Sequence, residues 1–379
     1  MSGGMELYLH MPFCVRKCAY CDFLSFPSGA KTQRMYAKRL MEDIGVMGKR
    51  YGEIPVETIF IGGGTPSVPD SGLIVEIMEH VRHAFHVADG AEISMEANPG
   101  TVTREKLTDY RKAGINRLSF GLQSANDREL KLLGRIHTWA EFLESFMLAR
   151  ECGFANLNID LMSALPGQTC ESWKETLSRV TDLDPEHISA YSLIIEEGTP
   201  FGERYGSEEG RKLLPDEDSE REMYHETKRF LKDCGYERYE ISNYAKPGRE
   251  CRHNIGYWTG VPYLGLGLGA SSYLDGCRFT VNPDMKQYLE EKPGMFTDIE
   301  KLTKKDMEEE FFYVGLRMTA GVSLSEFERR FGISAKEVYP GLMETFVKEK
   351  AARFEGDRFV LTDYGLDVSN YIMAQFLQD

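Results

Sequence analysis

The sequence lacks long apolar runs and an apolar leader. No run of 18 or more apolar residues, about the length of a membrane-spanning helix, occurs in the 379-residue chain. Its first ten residues, MSGGMELYLH, lack the basic segment followed by an apolar one that marks a secretory signal peptide. We therefore expect a cytoplasmic protein, with any membrane association weak and made only through a partner.

Positive charge is also scarce. The chain has 45 Lys and Arg residues against 60 Asp and Glu residues, for a net charge of −15. This surplus opposes binding to phosphate backbones and to anionic lipid, so we expect no nucleic-acid partner. The hydrophobic content of 42% and the charged content of 28% are ordinary for globular proteins and exclude global disorder.

Six β-rich runs alternate with segments of helical periodicity. Repeated strand, helix and strand units build parallel sheets with right-handed crossovers, so the pattern predicts an α/β fold, either barrel-like or doubly wound. Six strands make an incomplete barrel that leaves one side open. The runs cover residues 7–13, 57–63, 92–98, 117–123, 156–165 and 187–195.

From about Pro200 the pattern changes. Two β-like runs, at 237–245 and 263–274, are expected to extend the sheet, and the tail from Phe296 predicts helices, a hairpin and a last helix, as in a winged helix. The tail carries 11 basic and 16 acidic residues, which argues against DNA binding and favours a lid or docking module. We predict three units, over residues 1–235, 236–295 and 296–379.

Three of the eight cysteines lie close together. Cys14, Cys18 and Cys21 form a C-x3-C-x2-C motif directly after the first predicted strand. In a reducing compartment such a motif favours metal binding over disulfides. A structural zinc site and an accidental cluster are the alternatives, although structural zinc wants four ligands and no second cysteine pair follows. Three thiolates on one loop suit a [4Fe–4S] cluster with one iron left open, whereas such clusters ordinarily take four cysteines.

The cysteine motif, followed by GGGTP after the second strand, resembles the radical S-adenosylmethionine (SAM) superfamily. That resemblance implies a partial (β/α)6 TIM-like barrel with SAM on the open iron, a reductant protein for the cluster, and cleavage of SAM to a 5′-deoxyadenosyl radical. More specifically, the chain resembles the subfamily that contains oxygen-independent coproporphyrinogen III oxidases and heme chaperones. The motifs that carry this are YLHMPFCVRKCAYCDF, IFIGGGTPS, MEANPG, LSFGLQS, NIDLMSALPGQT and GLGLGASSY.

The resemblance implies a set of SAM-binding residues. It implies aromatic contacts to SAM for two tyrosines. The glycine turn matches the segment that receives the SAM amino group. Several polar residues match contacts to one or two SAM molecules. Two further positions are weaker matches. In chain order the residues are Tyr8, Tyr20, Gly63, Gly64, Thr65, Glu96, Gln123, Arg135, Asp160 and, as the weaker matches, Ile194 and Ser271.

Each of these assignments has a simpler alternative. The three glycines from Gly62 could form only a tight turn, and no Walker lysine follows them. Glu96 and Asp160 could be structural salt-bridge partners, and Arg135 could be a solvated helix charge. The GLGLGA segment imitates a dinucleotide fingerprint, but it sits inside a β-like run.

Two features favour a heme chaperone over an oxidase. The oxidase motif has a fourth cysteine where this chain has Phe23, and CRHNIGYW matches an HNxxYW signature of the chaperone branch. The resemblance makes His253 a candidate heme ligand, flanked by aromatic residues that suit a porphyrin. A surface or hydrogen-bonded loop histidine is the alternative, and Cys251 is a second candidate ligand.

We therefore expect a chaperone that binds heme at the open flank of the barrel and passes it to an acceptor protein, which the sequence does not identify. Cluster and exchangeable SAM would tune or gate that transfer. The alternative is a radical SAM enzyme that acts on a porphyrin, resembling coproporphyrinogen III dehydrogenase. No catalytic side chain is assigned in either case.

Overall fold

The computed structural model describes residues 3–377, so the outermost residues of the first and third predicted units lie outside the described residues. Twelve strands form one sheet, in the order β12-β11-β10-β9-β1-β2-β3-β4-β5-β6-β8-β7. In chain order they are β1 (Met5–Met11), β2 (Val56–Gly63), β3 (Val87–Ala97), β4 (Arg117–Gln123), β5 (Leu157–Ser163), β6 (His187–Ser192), β7 (Glu237–Arg238), β8 (Asn243–Ala245), β9 (Tyr263–Leu266), β10 (Ser271–Leu274), β11 (Cys277–Thr280) and β12 (Thr297–Lys301).

Helices connect these strands. They are α1 (Ala30–Tyr51), α2 (Ser71–Ala84), α3 (Arg104–Lys112), α4 (Asp127–Leu132), α5 (Trp139–Glu151), α6 (Cys170–Thr181), α7 (Pro200–Tyr205), α8 (Glu208–Arg211), α9 (Glu217–Asp233), α10 (Arg252–Thr259) and α11 (Met285–Glu290). The apolar faces of α1 and α2 pack against the sheet.

Strands β1 to β6 are mutually parallel and lie side by side in chain order. The outer edge of β1 pairs with β9 and the outer edge of β6 pairs with β8, so the sheet stays open instead of closing into a full barrel. This arrangement confirms the predicted α/β fold with a partial (β/α)6 barrel and a β extension.

Alternation of side chains along β1 explains its two faces. Met5, Leu7 and Leu9 are fully buried in the core that also contains the apolar faces of α1 and α2. The intervening residues, Glu6 and Tyr8, point to the opposite face because successive strand residues alternate. The inner face of the half-barrel therefore carries polar and aromatic groups.

The β-like run over 263–274 is not one strand. It divides into β9 and β10 because Gly267 and Gly269 adopt positive φ angles of 96° and 66°, which turn the chain back on itself. The run over 237–245 likewise forms only the short strands β7 and β8. Both pairs extend the parallel sheet at its edges, as expected.

A separate C-terminal core lies beyond the large sheet. It contains Phe312, Phe327 and Phe376 and belongs to helices around a three-stranded antiparallel sheet, as the winged-helix-like prediction expects. Strand β12 pairs with β11 in the large sheet, although the sequence placed it in the C-terminal unit. The elements are α12 (Lys304–Tyr313), a 3-10 helix (Gly315–Arg317), β13 (Val322–Ser323), α13 (Leu324–Phe331), α14 (Ala335–Val338), α15 (Leu342–Lys348), β14 (Ala352–Glu355), β15 (Arg358–Leu361), α16 (Asp363–Asp367) and α17 (Ser369–Ala374).

Across residues 3–377, no helix has the combination of length and apolar composition that a bilayer crossing requires.

Candidate functional site

The cysteine motif forms a loop at the carboxyl end of β1. The loop is held at two points, since the N–H of Cys14 donates to the carbonyl of Phe26 at 3.2 Å and the N–H of Ala19 donates to the carbonyl of Leu133 at 3.0 Å. Leu133 follows α4, so the loop is tied to a different βα unit. All three thiols of the motif are half-buried and none is in a disulfide.

Two of the thiols have polar neighbours that suit a bound thiolate. The Cys14 sulfur lies 3.5 Å from the hydroxyl oxygen of Thr65, and Nη1 of Arg135 donates to the Cys18 sulfur at 3.5 Å. Hydrogen bonds and nearby positive charge favour the anionic form of a thiol. The donor set therefore fits an iron–sulfur cluster.

No three His, Cys, Asp or Glu side chains within residues 3–377 converge as ligands of a single metal ion. An iron–sulfur cubane has a different requirement, because each cysteine binds a different iron and the three sulfurs stay apart. The spread of the three thiols over one loop is compatible with that arrangement.

The glycine turn after β2 packs closely against the cysteine loop. The N–H of Gly64 donates to the carbonyl of Met11 at 2.8 Å, and the N–H of Thr65 donates to that of Phe13 at 2.7 Å. Gly63 has a φ of 111°, and a Cβ there would lie 2.3 Å from the ring of His10. Packing within the chain therefore requires glycine at this turn, with or without a ligand.

Two carboxyl groups lie on the inner face, close to the turn. The N–H of Gly63 donates to Oε2 of Glu96 at 3.0 Å, and burial together with the charge of Asp160 raises the pKa of Glu96 to about 8. Burial also raises the pKa of Asp160, which accepts hydrogen bonds from Ser119 and Asn158 at 3.1 and 2.7 Å. Neither carboxyl makes a salt bridge to Lys, Arg or His in the described part of the chain, contrary to the structural ion-pair alternative.

Arg135 is not a solvated helix charge. It lies in the loop after α4, and its guanidinium donates to the side-chain oxygen of Asn98, the carbonyl of Gly121 and the Cys18 sulfur. Burial raises the pKa of the neighbouring Tyr20, the charge of Arg135 lowers it, and Cys18 raises it. This arginine thus joins the cysteine loop to the carboxyl ends of β3 and β4.

Tyr8 and Gln123 both lie on the inner face. The Tyr8 hydroxyl donates to Nδ1 of His10 at 3.0 Å, because Nε2 of that ring donates to the carbonyl of Leu24 at 2.9 Å. Gln123 ends β4 with a φ of 75°, a left-handed conformation that costs about 1–3 kcal/mol for a residue other than glycine. Strain of this kind often occurs next to a functional site.

The two weaker matches lie on different elements, after β6 and at the start of β10. Ile194 follows the end of β6 and is 69% exposed, so the predicted strand over 187–195 is too long. Ser271 begins β10, and its hydroxyl is 3.2 Å from that of Thr280 on β11. Neither side chain makes a hydrogen bond to the cysteine loop within residues 3–377.

The HNxxYW motif forms α10, which fills the amino-terminal end of the half-barrel. His253 is 2% exposed, with Nδ1 at 2.6 Å from the hydroxyl oxygen of Thr58 and Nε2 at 3.0 Å from that of Tyr257. Its ring stacks on Phe60, and burial lowers its pKa to about 3. In this conformation neither nitrogen is open to an iron atom, so the predicted role of His253 as a heme ligand requires α10 to move.

A glutamate that the sequence analysis missed holds α10 in place. The carboxylate of Glu92 on β3 accepts hydrogen bonds from the N–H groups of Arg252 and His253, at 3.1 and 3.2 Å, and from the Cys251 thiol at 3.4 Å. An acidic group at a helix amino terminus is favourable. Cys251 is buried, so it too is closed to heme here. The alternation of side chains along a strand places Glu92 on the same face as Glu96, and this was the signal in the sequence that could have identified Glu92 as an inner-face residue.

The sequence is similar to known protein families and to named relatives. Residues 8–180 match the radical SAM superfamily, and residues 302–368 match the HemN C-terminal domain. Curated relatives named "Heme chaperone HemW" include one from Bacillus subtilis, 35% identical over 98% of both chains, and one from Escherichia coli, 34% identical over 99% of this chain and 98% of the relative.

A solved structure is also similar. It is that of HemN, the coproporphyrinogen III oxidase from Escherichia coli, described as a radical SAM enzyme, with a TM-score of 0.85 and 23% identity over 100% of this chain and 91% of the other. At that identity the likeness shows the fold, while the full-length matches above show the family. The chain belongs to the radical SAM superfamily and, within it, to the HemW family.

Proposed function

We propose that this protein is a heme chaperone that binds heme and transfers it to an acceptor protein. The observation that carries the proposal is the full-length similarity, at about 35% identity, to relatives that bear this name. Membership of the radical SAM superfamily implies a [4Fe–4S] cluster and SAM. We infer that both are bound here and that SAM is exchangeable.

Cys14, Cys18 and Cys21 would hold the cluster, which when bound supplies single electrons to SAM. The chain's own groups orient this site. Thr65 and Arg135 lie beside two of the sulfurs, and Arg135 fixes the loop against β3 and β4. We assign SAM binding to the inner face next to this loop. There the glycine turn lies beside the carboxyl groups of Glu96 and Asp160.

Phe23 supports a carrier over an oxidase. It occupies the position of the fourth cysteine of the oxidase motif, and its side chain is 70% exposed. An apolar side chain there offers no sulfur to iron or to a substrate. The sequence therefore has the three cysteines that we propose for the cluster while lacking one thiol of the porphyrin enzyme that it resembles.

The test begins with full-length protein whose cluster has been reconstituted without oxygen. Hemin titration, followed by the Soret absorbance, should saturate near one heme per chain. A parallel reaction with SAM, a reductant and coproporphyrinogen III should yield no protoporphyrinogen IX. Absence of saturable heme binding would overturn the proposal, and product formation would favour the enzyme over the carrier.

A further inference from the structure

A large cavity lies between the half-barrel and the C-terminal unit. Its volume is about 1510 Å³, above the roughly 300–1,000 Å³ of ordinary small-ligand pockets. The walls come from β1, α10 and β9 to β11 on one side, and from α12, α13 and the segment between them on the other. The cavity therefore has enough volume for a macrocycle, and both parts of the chain line it.

The lining combines aromatic rings with a surplus of positive charge. Trp258, Tyr263, Tyr273 and Phe311 are among the rings that face it. Six Arg or Lys side chains and four Glu side chains also line it, a local excess of basic groups on a chain whose net charge is −15. Aromatic walls with cationic groups suit a ligand that has an apolar ring system and carboxylates.

Arg330 is the basic residue best placed for a carboxylate. Its Nε donates to Glu326 at 2.6 Å and its Nη1 donates to the carbonyl of Thr259 at 3.2 Å, while Nη2 makes no hydrogen bond to any residue in the range 3–377. The guanidinium also lies over the ring of Phe311, 5.5 Å from its centroid. One planar donor group thus remains beside an aromatic wall.

A buried carboxyl on the same cavity has one oxygen that makes no hydrogen bond within the described residues and lies 3.9 Å from Nδ1 of His253. This oxygen is Oε2 of Glu6, which lines the cavity and is 2% exposed. Gly256 of α10 makes room for it, since a Cβ there would lie 2.0 Å from Oε1 of Glu6. Burial also raises the pKa of Glu6 to about 8, so at neutral pH this carboxyl is protonated and adds no negative charge to the cavity.

We infer that heme binds in this cavity, with its ring against α10 and Phe311 and a propionate on Arg330. The inference rests on the proposed heme-chaperone function and adds the place of binding. In this arrangement the two faces of the HNxxYW helix have different surroundings. His253 points into the half-barrel, whereas Ile255 and Trp258 face the cavity. The C-terminal unit then forms one wall of the heme site.

The test is a hemin titration of the reconstituted full-length protein and four variants. Ile255→Trp fills the cavity, and Leu213→Trp adds the same indole at an exposed position remote from it. Arg330→Glu reverses the charge on the wall, and Arg353→Glu does so on the exposed hairpin strand β14 of the same unit. Cluster absorbance and circular dichroism verify folding, and Arg330→Glu carries the test if Ile255→Trp does not fold.

We expect Ile255→Trp and Arg330→Glu each to weaken hemin binding at least tenfold, with both controls unchanged. Hemin dimethyl ester, which lacks the propionate charges, should bind wild type and Arg330→Glu alike. Saturable wild-type binding that neither cavity variant weakens would overturn the cavity site and leave the chaperone proposal standing. Failure of wild type to bind hemin would instead overturn the chaperone proposal itself, and the cavity site with it.

Discussion

The carboxylate of Glu96 accepts a hydrogen bond from the backbone N–H of Gly63, with 3.0 Å between Oε2 and nitrogen. This contact joins the carboxyl end of β3 to the glycine turn after β2. The donor is Gly63, the turn residue at which a side chain would clash with the ring of His10. The geometry of the glycine turn and the protonation state of the Glu96 carboxyl are therefore coupled.

We predict that Gly63→Ala abolishes SAM binding. The new Cβ would lie 2.3 Å from the His10 ring, and φ at this position is already 111°, so the turn must shift. Gly90→Ala is the matched control, because Gly90 also has a positive φ, 76°, but has no atom within 4 Å of a new Cβ. Backbone strain alone, about 1–2 kcal/mol, then affects both variants. Equilibrium dialysis with labelled SAM measures the difference, and equal affinity in the two would contradict the prediction.

Glu96 should make stability and SAM binding depend on pH. Because burial raises its folded pKa to about 8, above the ordinary 4.5, the stability it contributes is full below about 4.5 and is lost as pH rises through 8. Cationic SAM favours the ionised carboxylate, so SAM should bind more tightly at pH 9 than at pH 7 and release a proton.

Calorimetry of SAM binding in two buffers of different ionisation enthalpy measures that proton. Glu96→Gln should remove the pH dependence while keeping the hydrogen bond from Gly63. A proton release that persists in Glu96→Gln would assign it to another group.

The cluster cysteines should behave differently from the remaining thiols. Replacing Cys14, Cys18 or Cys21 singly with alanine should reduce iron and acid-labile sulfide to background, because each thiolate binds its own iron. Cys152→Ala, at the end of α5, is the control and should keep full cluster content. Full cluster content in any of the three loop variants would contradict the assignment.

His253 and Tyr257 should be energetically coupled. Their side chains are 3.0 Å apart, so His253→Gln and Tyr257→Phe each disturb the same buried contact and should each cost about 1–3 kcal/mol of unfolding free energy. In urea unfolding of the apoprotein, the double variant should lose less than the sum of the two. Strict additivity would show that the contact contributes nothing.

The sequence reveals the local parts of the site and misses those made by distant segments. The C-x3-C-x2-C spacing, the end of β4 at Gln123 and the position of Asp160 within β5 follow from adjacent residues, so the sequence predicts the inner face. Burial of Arg135 was not predictable, because it depends on how the loop after α4 meets the loop after β1. The burial of His253 was missed for a similar reason, since α10 inserts into strands that lie about 150 or more residues earlier in the chain.

Heme transfer tests the central claim most directly. Hemin-loaded, cluster-containing protein is mixed with apomyoglobin as a general heme sink, and the spectrum of the holo-acceptor is followed with time against free hemin as reference. The account predicts loading near one heme per chain and its delivery to the acceptor. A chain that takes up no heme, or keeps it in the presence of excess acceptor, would contradict the account.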